Sequence, residues 1–100
     1  MSMKDQEIPE HLKPIFDMLK CAYPNGLDTE EYFPLLGALG EIMNQRGIAD
    51  VVSVLAKKDY GEVYNDVLAS QSSRIPTSEA IASVKGRLIP CGYEKWLDEG

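Results

Sequence analysis

The sequence predicts an all-α protein, a compact single-domain bundle of about five helices. Three observations carry that expectation. Apolar residues recur at spacings of three and four along most of the chain, the period of a helix with one buried face. Turn and cap residues, such as Asn25-Gly26, Asp28 and Thr77, punctuate those stretches. No segment reads as a clear strand.

Residues 1–7 are polar and expected to be disordered. Pro9 can open the first helix, because a first-turn residue needs no N–H. Leu12, Ile15, Phe16, Leu19, Ala22 and Tyr23 supply its apolar face, while Glu10, Lys13, Asp17 and Lys20 lie outside. Pro14 belongs to its first turns and can delay the true start. Tyr23-Pro24 ends it.

The second helix carries the most apolar face of the chain. Asn25-Gly26 signals a turn, since both residues tolerate positive φ. Asp28 reads as an N-cap whose carboxylate accepts first-turn N–H groups, with Glu31 reaching back in a capping box. Glu30 and Glu31 also suit the positive end of the helix dipole. Tyr32, Leu35, Leu36, Leu39, Ile42 and Met43 then form one stripe, so the helix is expected to reach about Met43. Pro34 conflicts with this pattern. Either the helix kinks there, or a first turn ends at Phe33 and the main helix begins at Pro34. Gly37 and Gly40 leave one side without bulk, where another backbone can approach.

Asn44 can close the second helix or cap the third. Ile48, Val51, Val52 and Leu55 form the third buried face. Val51-Val52-Ser53-Val54-Leu55 also suits a strand, but the spacing and the helical neighbours favour a helix. Asp59-Tyr60-Gly61 punctuates. Tyr60, Val63, Tyr64, Val67 and Leu68 make a short fourth helix, and residues 70–74 form a polar loop. Thr77 caps the last main helix, with Ile81, Val84 and Leu88 inward and Glu79, Lys85 and Arg87 outward. Pro90 and Gly92 stop it. Tyr93, Trp96 and Leu97 repeat at helical spacing, so residues 93–100 are a tail or a last turn.

Two runs within this pattern, Tyr23-Pro24-Asn25-Gly26-Leu27 and Tyr32-Phe33-Pro34-Leu35-Leu36-Gly37-Ala38-Leu39, resemble the signature of a small, mostly actinobacterial family. It is known only as domain of unknown function 3349. Ile75-Pro76-Thr77-Ser78, Ile81, Val84, Arg87-Leu88 and Gly92-Tyr93 follow its pattern in order, so the resemblance spans residues 12–93. It implies a compact bundle of five helices, with no assigned activity and no established site residues. The chain departs from the family at its end: Gly92-Tyr93-Glu94 stands where the family usually has Gly-Trp-Pro, and the Trp here is residue 96.

One hundred residues with 44% hydrophobic and 26% charged side chains fit one ordinary globular domain. A net charge of −6 disfavours nucleic acid and anionic membranes, and favours a basic partner if charge steers one. No apolar leader or membrane-length apolar run is visible, so a cytoplasmic location is the expectation. In that reducing setting Cys21 and Cys91 are expected to be free, partly buried thiols rather than a disulfide.

Reactive chemistry is scarce. His11, the only histidine, lies among polar residues near a helix start and reads as a solvated side chain. No nucleophile motif and no metal-ligand spacing is present, so neither an enzyme, a metal site nor a cofactor is expected. The preferred function is therefore a small acidic module that binds another protein, in a concrete version an inhibitor or immunity-type protein. A monomer or weak dimer is expected. Candidate contacts are the acidic residues Asp28, Glu30 and Glu31, joined by Glu41, Asp59 and Glu62, and the aromatic tail Tyr93, Trp96 and Leu97. Burial of that tail is the simpler reading of it. Two alternatives remain: a nucleic-acid regulator reading DNA or RNA through the helix at 77–88 with Arg74, Lys85 and Arg87, and a carrier of a small apolar ligand near Tyr32, Phe33 and Pro34.

Overall fold

A computed structural model describes residues 8–93, and within them every regular element is helical. Five α-helices follow one another: α1 (Lys13–Ala22), α2 (Thr29–Leu39), α3 (Gln45–Ala56), α4 (Tyr60–Ser70) and α5 (Ser78–Leu88). One 3-10 turn (Glu10–Leu12) leads into α1 and another (Ile89–Cys91) follows α5. The expected all-α bundle is the fold observed. Residues 1–7 and the tail beyond Tyr93, including Trp96 and Leu97, lie outside the described residues.

Proline placement sets both ends of the first segment. Pro9 opens the 3-10 turn, and Pro14 occupies the first turn of α1, where the missing N–H costs nothing. The helix therefore begins at Lys13. Ile15, Phe16, Met18, Leu19 and Ala22 point into the core.

Helix α2 sits at the centre, packed against α4 and α5. Leu35, Leu36, Ala38 and Leu39 are fully buried and Tyr32 nearly so. Two expectations for it need correction, and the position of Pro34, left open by the sequence, is fixed. Thr29 starts the helix, and Pro34 lies inside it rather than at its beginning. The residue whose carbonyl loses a partner to Pro34 is Glu30, which is exposed. The helix ends at Leu39, short of Met43: after Gly40 the backbone bonds tighten to three-residue steps, Glu41 N–H to Ala38 O and Ile42 N–H to Leu39 O. Ile42 and Met43 nevertheless stay half-buried against the core. Asp28 holds the N-cap position with its backbone only, and its side chain accepts no cap bond. The Glu31 carboxylate has turned instead towards Arg87 of α5, 3.4 Å away, so no capping box forms.

The N-caps of α3, α4 and α5 use side chains. Asn44 Oδ1 accepts from Gly47 N–H at 2.7 Å and begins α3. Asp59 Oδ2 accepts from the N–H groups of Gly61 and Glu62, and Thr77 Oγ1 from Ala80 N–H. Helix α3 buries Ile48, Ala49, Val51, Val52 and Leu55, so the Val-rich run is helical and not a strand. It packs on α4 and α1.

Gly37 lets the loop before α5 close on α2. A Cβ there would stand 2.9 Å from Pro76 Cγ and 3.1 Å from Ile81 Cδ1. The close approach is thus by side chains of the α5 segment rather than by its backbone.

The cysteines also depart from expectation. Cys21, at the end of α1, is bonded to Cys91, with a Cα–Cα distance of 5.8 Å. The fold brings the two ends together because α1 packs against both α5 and the 3-10 turn that follows it. A sequence separation of 70 gives no hint of that proximity.

Candidate functional site

The residues singled out from sequence divide by what the fold does with them. Asp28 and Glu30 stand exposed at the start of α2. Glu31, Glu41 and Glu62 are each joined to a cation: Arg87, Lys85 and Lys58 respectively. Asp59 is spent on the α4 cap. The acidic set is therefore largely tied into the fold, at the two ends of α2 and the start of α4.

The basic set behaves alike. Lys85 pairs with Glu41, which raises its pKa. Arg87 pairs with Glu31 and lies 5.1 Å from the centre of the Tyr23 ring. Arg74 stacks 4.3 Å from the centre of the Phe33 ring. Each of these three cations thus has an intramolecular partner, at a surface that stays partly exposed.

Tyr93 is buried, 8% exposed, which removes it as an exposed anchor. His11 is exposed at the mouth of a cleft of about 480 Å³ that also reaches Arg46 and Asp50. Burial raises the Asp50 pKa, and the nearby His11 opposes that rise. Among the described residues no cluster of His, Cys, Asp and Glu could hold a metal, and no helix is long and apolar enough to cross a membrane.

Tyr32 and Phe33 form an edge-to-face pair with centroids 5.2 Å apart. The Tyr32 hydroxyl donates to Asp66 Oδ2 at 2.7 Å, tying α2 to α4, and Lys58 Nζ lies 5.1 Å from its ring centre. Burial first, then this hydrogen bond, pushes the Tyr32 pKa up. The aromatic pair is thus a structural clasp, and the cleft beside His11 lies elsewhere.

Among the described residues, exposed large apolar side chains stand at Ile75, at Ile89 and on the outer side of α4, where two of them share one helix. Val63, Val67 and Ser70 are its buried line. Tyr60, Tyr64 and Leu68, four residues apart, form a second line turned about 100° from the first. Tyr60 is 42% and Leu68 38% exposed, and the two tyrosine rings are stacked with centroids 6.2 Å apart. The small side of the helix, Gly61, Asn65 and Ala69, runs along its outermost ridge. Glu62 and Asp66 occupy the far edge. With its cap Asp59, α4 carries three carboxylates and no Lys, Arg or His.

Sequence reading grouped Tyr60, Val63, Tyr64, Val67 and Leu68 as the apolar residues of a short fourth helix, without assigning them to faces. The signal for two faces was present. A single buried stripe uses Val63 and Val67, and the Tyr60-Tyr64-Leu68 line is offset by one residue from it. No family model, no curated protein and no solved structure matches this chain.

Proposed function

We propose that this protein is a non-enzymatic binding module whose outer α4 face docks an amphipathic helix of another protein. The observation that carries the reading is the Tyr60-Tyr64-Leu68 line, with exposed Tyr60 and Leu68 on either side of half-buried Tyr64 on one helix. Tyrosine is favoured at interface hot spots because it brings large area at little entropic cost. Asp59, Glu62 and Asp66 border this face but are already engaged by the α4 cap, Lys58 and the Tyr32 hydroxyl, so apolar burial and not charge carries the docking. The small ridge of Gly61, Asn65 and Ala69 lets a second helix approach closely. An inhibitor or immunity-type protein is one form such a module takes.

The cytoplasmic location expected from sequence rested on the absence of an apolar leader. The Cys21–Cys91 bond weighs the other way, since disulfides persist mainly in oxidising compartments.

The test is site-specific crosslinking in the source cells, with a photoreactive phenylalanine analogue at Tyr64 and a control at exposed Ser83 of α5. The reading expects one protein captured from position 64 and not from 83. Its crosslinked segment should be an amphipathic helix, and Leu68→Asp should abolish binding of the purified partners. Equal capture from both positions, or none, would overturn it.

A further inference from the structure

The cleft between the C-terminal ends of α1 and α3, about 390 Å³, differs in chemistry from the rest of this surface. Phe16, Tyr23, Val54 and Leu55 give it an apolar lining. Its charged lining groups are Lys20 and Lys57, from different helices, and no carboxylate lines it. That is notable in a chain with 16 acidic and 10 basic residues. Lys58, Lys85 and Arg87 are paired with glutamates, whereas Lys20 and Lys57 have no ion pair among the described residues. Lys20 Nζ stands 5.4 Å from the centre of the Phe16 ring, so one ammonium already sits above the apolar lining.

Lys57 occupies the site against its own backbone preference. Its φ is +59°, the left-handed region. The closure around it, Lys58 N–H to Ser53 O and Lys57 N–H to Val54 O, is the helix ending at which glycine is usual. The Asn25-Gly26 turn at the other end of the cleft meets the same demand with Gly26, φ +97°. A lysine where glycine would be less strained points to a use for its side chain.

We propose that this cleft binds a small organic carboxylate with an aromatic or branched apolar body. The body leaves water against Phe16, Tyr23, Val54 and Leu55, while the carboxylate is held by the two ammonium groups. The cleft volume lies within the range of small-molecule sites, about 300–1,000 Å³. This inference is independent of the α4 docking face, which lies on a different helix.

The experiment titrates the intact, oxidised protein with naphthalene-2-carboxylate, followed by amide and methyl NMR shifts. Its neutral carboxamide and inorganic phosphate serve as comparison probes. Shifts should gather on Phe16, Tyr23, Gly26, Val54 and Leu55, and the carboxamide should bind about tenfold or more weakly, because it lacks the charge-assisted bonds. Lys20→Ala should weaken binding about fivefold. Lys57→Gly should do the same while raising the melting temperature, so loss of fold cannot explain its loss of binding. Phosphate alone should shift none of the apolar residues. No binding at millimolar carboxylate, equal binding of the carboxamide, shifts centred elsewhere, or unchanged affinity in Lys57→Gly would each overturn the proposal.

Discussion

Tyr23 shows how one buried atom sets a measurable property. Its ring is 2% exposed and its hydroxyl has no hydrogen-bond partner, lying near the Glu31 carboxylate without bonding geometry. Burial, then Glu31, drives its pKa up, and Tyr32 shifts in the same direction. Both rings therefore hold their protons in the folded chain at a pH where the unfolded chain has lost them. The stability this contributes is fully present below pH 10, the ordinary tyrosine value, and is lost as pH rises above it. Lys85, raised by Glu41, acts with the same sign. Urea midpoints should fall steeply above pH 10, and Tyr23→Phe should flatten that fall. At neutral pH the same variant should be as stable as the parent or more so, because it removes an unsatisfied buried hydroxyl. Gly37 gives the opposite case. Alanine would gain about 1 kcal/mol of helix propensity. It would also press a Cβ onto the Pro76 ring at 2.9 Å, and overpacking costs about 1–3 kcal/mol. The clash should win, and thermal unfolding of Gly37→Ala should show a net loss.

The helices themselves test what a cap contributes. Asn44 makes a side-chain bond into α3 and Asp28 makes none into α2, although both stand at N-cap positions. Asn44→Ala should cost about 1 kcal/mol, and Asp28→Ala should stay within about 0.5 kcal/mol, both read by chemical denaturation. In the sequence Asp28 was the clearer cap, whereas Asn44 could either close the second helix or cap the third. What separates them is tertiary: Arg87 draws Glu31 away, and no capping box survives. Helix α4 repeats the lesson. Its existence was legible from the spacing of Tyr60, Val63, Tyr64, Val67 and Leu68, but its orientation was not. Which of two adjacent apolar lines faces inward depends on where α2 and α3 lie.

At the scale of the molecule, the all-α architecture was legible because turn and cap residues agree with the apolar period nearly everywhere. The Cys21–Cys91 link was not, since it depends on α1 meeting the chain beyond α5. Closing a loop across a separation of 70 residues stabilises the fold by about 4 kcal/mol in the chain-entropy account. Cys21→Ser/Cys91→Ser should therefore unfold at lower urea by about that amount while keeping its helical circular dichroism. The basic cleft escaped sequence reading for the same reason as the disulfide, because Lys20 and Lys57 become neighbours only when α1 and α3 pack. The most direct test of the whole account is hydroxyl-radical footprinting of the five tyrosines in the folded, oxidised protein. The account predicts rapid modification of Tyr60, slower modification of half-buried Tyr64, and protection of Tyr23, Tyr32 and Tyr93. Protection of Tyr60 together with rapid modification of Tyr32 or Tyr93 would contradict it.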